Sequence, residues 1–331
     1  MSTALTVLGA GSWGTALALL LAKNGHDVLL WGRDEAAVAL MKEKRENTRY
    51  LPGHTFPANL RCTADLTESL EHSPHWLIAV PSAAFEETLV KLTQTKLLPE
   101  SIVWATKGME PISQQLLHAR VHFYYPFLLA YGVLSGPSFA KEVARGLPTA
   151  VVLASLSDWL LSRWSNWLKA TSFRVYSSQD MIGVELGGIV KNIMAVAAGI
   201  SDGLALGANA RAALLTRGLA EMMRLGLAMG AKASTLTGLS GVGDLILTAT
   251  DDQSRNRRLG LLLAKGRSLA EAEAEIGQVV ESVHNVTEIR SMASVHKVEL
   301  PISEQIYQVV FHELRPQDAL QTLMVREQKE E

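Results

Sequence analysis

The chain has 331 residues, 48% of them hydrophobic and 19% charged, enough for two domains with separate cores and too apolar for a disordered chain. A formal net charge of −2 provides no field for nucleic acid or an acidic membrane. The single cysteine, Cys62, excludes an internal disulfide framework and fits a reducing compartment.

The chain opens on a short apolar run, Leu5 to Leu8, as a strand buried on both faces would. Gly9, Gly11 and Gly14 then complete G-x-G-x-x-G, and Thr15 to Lys23 reads as a helix stopped by Asn24-Gly25. In a dinucleotide-binding unit Gly9 makes the turn, Gly11 admits a pyrophosphate and Gly14 lets helix pack on strand. The helix N-terminus supplies free N–H groups for the phosphates. An ordinary structural turn is the competing explanation. No basic n-region or cleavage site precedes the strand, so no signal peptide is expected.

A second strand, Asp27 to Trp31, ends at Gly32-Arg33-Asp34. Arg33 stands where an acid usually holds the ribose 2′-hydroxyl of NAD, and is suited to a 2′-phosphate or to stacking on adenine. Asp34 keeps plain NAD open, and a solvated Arg33 is the plain alternative. Residues 36–72 read as polar and helical. Trp76 to Val80 and Ile102 to Thr106 read as the third and fourth strands, the latter ending at Lys107, where open α/β sheets collect ligands. The aromatic stretch 119–131 is read as packing. Gly136-Pro137-Ser138 turns into a helix, with Ser138 either a ligand contact or a cap. Pro148 to Leu153 and Phe173 to Tyr176 close the sheet.

From residue 181 the pattern is helical throughout. Glu185, Lys191, Asp202 and Arg211 interrupt the apolar stretch from Met181 to Met229, so buried helices of a soluble protein are expected rather than a membrane span. Lys191 and Asn192 lie inside an apolar helix, and burying an ammonium is costly unless it is paired or working. Glu185, six residues before Lys191, is off the helical pairing distance. Snorkelling of the long stem is the other option, and Lys191→Met is expected to keep the fold. Asp244 follows a glycine loop as a functional carboxylate or an N-cap. Ser254-Arg255-Asn256 opens a helix as a phosphate clamp or a solvated basic turn. Ser268 to Glu271 has capping-box form, Gln278 to Glu281 begins a further helix, and Arg326 to Glu331 is expected to fray.

In order, GAGSWGTALA, WATKG, SGPSFA, ELGGIVKN, GLSGVGDL and SRNRRLG resemble bacterial NAD(P)-dependent glycerol-3-phosphate dehydrogenase over residues 4–310. With the change from strand to helix pattern near residue 180 as the boundary, the chain is expected to form an α/β Rossmann-type NAD(P)-binding domain over 1–180 and an all-α substrate and catalytic domain over 181–331. The resemblance implies reduction of dihydroxyacetone phosphate to sn-glycerol 3-phosphate with NADP or NAD as cofactor and without a metal; the lone cysteine and the lack of a signal peptide or membrane span point to the cytoplasm. Gly9, Gly11, Ser12, Trp13, Gly14, Arg33, Lys107, Ala140, Arg255, Val279 and Glu281 would contact the cofactor. Lys107, Gly136, Ser138, Lys191, Asp244, Ser254, Arg255 and Asn256 would contact the substrate. Lys191, Lys107 and Asp244 are the implied catalytic groups. The apolar helices suggest a homodimer. Related two-domain dehydrogenases acting on other hydroxy acids, and a non-catalytic NAD(P)-binding redox sensor, are the rival readings.

Overall fold

The computed structural model describes residues 2–278 and 280–325. Val279 and the tail from Arg326 lie outside the described residues. Contacts divide the chain into two compact units. One is built from the chain up to Glu110 and Gln115–Val184; the other is built from Pro111–Gln114 and the chain from Glu185 on.

The first unit alternates strands and helices. They are β1 (Ala4–Leu8), α1 (Ser12–Lys23), β2 (Asp27–Trp31), α2 (Glu35–Lys44), β3 (Leu60–Thr63), α3 (Leu66–His72), β4 (His75–Ile78) and α4 (Phe85–Gln94). There follow β5 (Ser101–Trp104), α5 (Leu117–Tyr124), β6 (Tyr131–Ser135), α6 (Ala140–Arg145), β7 (Thr149–Ala154), α7 (Asp158–Leu168) and β8 (Phe173–Ser178). Among the described residues the sheet has eight strands in the order β3-β2-β1-β4-β5-β6-β7-β8. Neighbours run parallel except β6 and β7, which pair antiparallel. Strand order reverses at β1, which pairs with β2 on one side and β4 on the other. That switch point is where a doubly wound sheet opens a ligand crevice. The central strands are continuous apolar runs because helices cover both faces.

Two expectations need correction. Residues 36–72 are not wholly helical: β3 pairs with β2, Val28 opposite Leu60 and Trp31 opposite Thr63. It is a four-residue edge strand with Arg61 exposed, so neither its length nor its pattern stands out. The aromatic stretch 119–131 is packing only in part. Tyr125 is buried against Trp76, and Tyr124 donates to Glu86 Oε1 (2.7 Å), whereas Phe127 is 94% exposed and Phe123 also faces outward.

The unit boundary falls within α8 (Met181–Gly203). Then come α9 (Gly207–Ala228), α10 (Ala233–Leu236), α11 (Asp244–Thr250), α12 (Arg255–Ala264), α13 (Leu269–Ile276), α14 (Ser282–Val295), α15 (Pro301–Phe311) and α16 (Pro316–Met324). Helix α8 is long and apolar enough to cross a membrane, but 94% of its most apolar window is buried inside the protein. It is the core helix of the second unit. Its glycines set how close its neighbours come. A Cβ on Gly199 would strike the Arg257 carbonyl and one on Gly260 would strike that of Val196, so α8 and α12 meet backbone to backbone. Ser268 and Glu271 form the expected capping box on α13.

Candidate active site

In the first unit, the three glycines after β1 do three different things. Gly9 has φ +119, and a Cβ there would stand 2.7 Å from the Ala79 carbonyl oxygen that follows β4. A Cβ on Gly14 would overlap the Gly9 oxygen, so α1 lies directly on the turn. A Cβ on Gly11 would meet nothing within 4 Å, and Gly11 has an ordinary extended backbone at φ −78, ψ −177. Neither packing nor strain therefore requires a glycine at 11. Close approach by a bound pyrophosphate would, and the first turn of α1 carries no side-chain cap and no acid to compete for its N–H groups. The residues present thus fit a dinucleotide.

Around this turn the Ser12 hydroxyl donates to the Tyr50 carbonyl (2.7 Å) and Trp13 is half-buried. Arg33 is exposed just past β2. Asp34 is already engaged as the N-cap of α2, accepting from Ala37 N at 3.0 Å. At the carboxyl ends of β5 and β6, Lys107 Nζ (3.3 Å) and Ser138 Oγ (3.0 Å) both donate to the Gly136 carbonyl. The sequence motifs carrying these three residues therefore converge on one oxygen. Ser138 does not cap α6; Phe139 is the N-cap and Ala140 the first helical residue.

The second unit holds a buried ion pair. Lys191 of α8 is 7% exposed, and its Nζ donates to Asp244 Oδ1 (2.9 Å) and Thr248 Oγ1 (2.8 Å). Thr248 Oγ1 donates in turn to Asp244 Oδ1 (3.2 Å), one turn along α11. Asp244, 1% exposed, is the first residue of α11 rather than its N-cap, which is Gly243. The pairing depends on Gly187, one turn before Lys191, where a Cβ would strike the Ser240 carbonyl of the π-helical turn Leu239–Gly243 that runs into Asp244. The Lys191 stem therefore does not snorkel outward, and the carboxylate its ammonium donates to lies 53 residues on.

The α12 N-terminus is equally built. Ser254 is its N-cap, accepting from Arg257 N (3.2 Å), and Arg255 is half-buried in the first turn. Asn256 is buried and donates to Asn192 Oδ1 (2.8 Å), while Asn192 Nδ2 also lies 3.3 Å from Glu281 Oε2. The run 254–258 is thus not a solvated basic turn. Its buried arginine, Arg257, carries no sequence signal apart from its neighbours. It donates to Asp252 Oδ1 (2.8 Å), to the Ala249 carbonyl (3.1 Å) and to Asp202 Oδ2, which also takes Arg211 (2.9 Å). Burial alone would raise the Asp202 carboxyl, but the hydrogen bonds from Arg257 and Arg211 outweigh it and hold Asp202 below its ordinary value. A depressed carboxyl contributes stability above its unfolded pKa, about 4, that is lost as pH falls through the folded value. Asp202→Asn should therefore lower Tm at pH 7 and flatten the decline of Tm below about pH 4. A decline as steep as wild type would remove this pair from the acid response.

Taken together, the turn at the sheet's switch point and the buried lysine–aspartate pair in a helical second unit define a dinucleotide-dependent oxidoreductase. The residue pattern of the NAD-dependent glycerol-3-phosphate dehydrogenase N-terminus matches residues 4–159, and that of its C-terminus matches 180–321. The glycerol-3-phosphate dehydrogenase [NAD(P)+] of Thioalkalivibrio sulfidiphilus is 53% identical over 99% of this chain and 98% of its own. That of Colwellia psychrerythraea is 49% identical over 99% of both. The crystal structure of glycerol-3-phosphate dehydrogenase from Coxiella burnetii superposes with a TM-score of 0.93 at 47% identity, covering 98% of this chain and 99% of that one. The chain belongs to the NAD-dependent glycerol-3-phosphate dehydrogenase family.

Proposed function

We propose that this protein reduces dihydroxyacetone phosphate to sn-glycerol 3-phosphate with NADPH or NADH, reversibly, supplying the glycerol backbone of phospholipids. The observation that carries the chemistry is the buried Lys191 ammonium held by Asp244 and Thr248. Bound reduced nicotinamide supplies a hydride to the C2 carbonyl carbon. Lys191 polarises the carbonyl oxygen and gives it a proton; in the reverse direction it takes that proton back. Asp244 orients the ammonium and keeps it from wandering among rotamers.

In the second unit, Arg255 and Asn256 at the α12 N-terminus hold the substrate phosphate, with Ser254 fixing that turn. In the first unit, Lys107, Gly136 and Ser138 present a polar edge to the substrate. Gly9, Gly11, Ser12, Trp13, Gly14, Arg33, Lys107 and Ala140 serve the dinucleotide there; Arg255 and Glu281 are further cofactor contacts implied by the family. Val279, the remaining cofactor contact implied by the family, lies outside the described residues. We further propose a cytoplasmic homodimer with no nucleic-acid partner and no membrane insertion; light scattering of the purified chain tests the dimer.

The decisive experiment follows NADPH oxidation with dihydroxyacetone phosphate beside unphosphorylated dihydroxyacetone. Turnover should require the phosphate, and Arg255→Ala should raise KM for the phosphorylated substrate. Equal turnover of both compounds would sink the assignment. Tight NADPH binding with no oxidation by any carbonyl would return the chain to the redox-sensor reading.

A further inference from the structure

The amides behind Asn256 form a chain whose direction is set by a backbone N–H at one end and supported by carboxyl oxygens at the other. At one end the Ser282 backbone N–H, which can only donate, meets Asn256 Oδ1 (3.2 Å). Asn256 Nδ2 donates to Asn192 Oδ1 (2.8 Å), and Asn192 Nδ2 to Asn285 Oδ1 (2.9 Å). Asn285 Nδ2 then donates to Glu288 Oε2 (3.0 Å). Glu281 Oε2, 3.3 Å from Asn192 Nδ2, is a second acceptor that favours the same sense. Asn192, Asn256, Asn285 and Glu288 are all buried. Flipping any one amide would set donor against donor or acceptor against acceptor on both sides, away from the water that would otherwise relieve it.

We propose that Asn285 and Glu288 are positioning residues that fix the sense of the Asn256 amide for an anionic ligand. An amide nitrogen has two hydrogens. The chain uses one of them and occupies the carbonyl oxygen with Ser282, so what Asn256 retains is an N–H. A donor attracts a phosphate; an inverted amide would offer it an oxygen. Asn285 and Glu288, from α14, act on the ligand only through Asn192 and Asn256. The inference rests on the reading of Asn256 as a phosphate ligand.

The test measures KM for dihydroxyacetone phosphate, KM for NADPH and Tm in wild type, Asn285→Ala, Glu288→Met and Glu288→Gln. Asn285→Ala should raise KM for the phosphorylated substrate by about tenfold to a hundredfold, the worth of a hydrogen bond to a charged group, with KM for NADPH unchanged. Glu288→Met keeps much of the volume and removes the terminal acceptor, so it should move KM the same way. Glu288→Gln restores an acceptor oxygen and should bring KM back toward wild type. A merely structural role predicts lower Tm with both KM values unmoved in the folded fraction. That result, or a Gln variant as impaired as the Met variant, overturns the inference alone. A wild-type chain that leaves dihydroxyacetone phosphate unreduced overturns the functional reading and the inference with it.

Discussion

Lys191→Met lowers kcat by about 10²–10⁴-fold, the range a positioned general acid contributes, while the Kd for NADPH stays near wild type. It also costs stability, contrary to what an isolated buried ammonium would suggest. Asp244 remains behind, 1% exposed, without the ammonium that balances it. Removing one partner of a buried pair costs about 3–5 kcal/mol, whereas removing the charge on both can be close to neutral. Adding Asp244→Asn should therefore recover much of the lost Tm and none of the lost kcat. Steady-state kinetics beside thermal denaturation of the single and double variants separates the two effects. A Lys191→Met enzyme with more than roughly a tenth of wild-type kcat would mean that the proton comes from elsewhere.

Gly11→Val abolishes useful cofactor binding in a chain that still folds. Its backbone lies in the extended region open to any residue, and its Cβ direction is clear for 4 Å, so Tm should stay near wild type. The added branches would occupy the space a pyrophosphate needs against the α1 N–H groups. Losing several charge-assisted hydrogen bonds should raise the Kd for NADPH by at least about a hundredfold. Gly14→Val is the contrasting variant, because its Cβ overlaps the Gly9 carbonyl and the first unit itself should be destabilised. Fluorescence titration with NADPH and a melting curve distinguish them. Unimpaired binding by Gly11→Val would place the phosphates away from this turn.

What could be read from the sequence follows the range of the forces involved. The β1 turn was readable because strand, glycines and helix are contiguous, even though of the three glycines only Gly14 answers to a close neighbour in sequence, Gly9, while Gly9 itself packs on the distant Ala79. The edge strand β3 was not, since its four residues are specified by pairing with β2 some 30 positions earlier and only one face is demanding. Lys191 announced itself as a charge in an apolar helix, but not its partner, because nothing local ties position 191 to Asp244. Arg257 was hidden among three arginines of which it alone is buried, and burial is set by the close approach of α8 and α12. Asn285 and Glu288 carry no signal at all. A polar residue in a helix is ordinary until the chain it completes is seen.

Lys191 and Asn192 are consecutive residues of one buried helix, which turns about 100° per residue. One side chain goes to the Asp244 carboxylate and the next to the Asn256 amide, so a single rigid rod carries the group we propose handles the proton and the anchor of the one we propose handles the anion. The angle and rise between them belong to the α-helix itself and cannot be tuned by mutation. An insertion or deletion of one residue upstream in α8 would rotate both side chains off their partners together, leaving no intermediate with half a site. Selection can retune this pair only from the far side, by moving α11 or α12 against a fixed axle. Diversity among relatives in how the two groups are spaced should therefore reside in α11, α12 and their loops, with the length of α8 before Lys191 held constant.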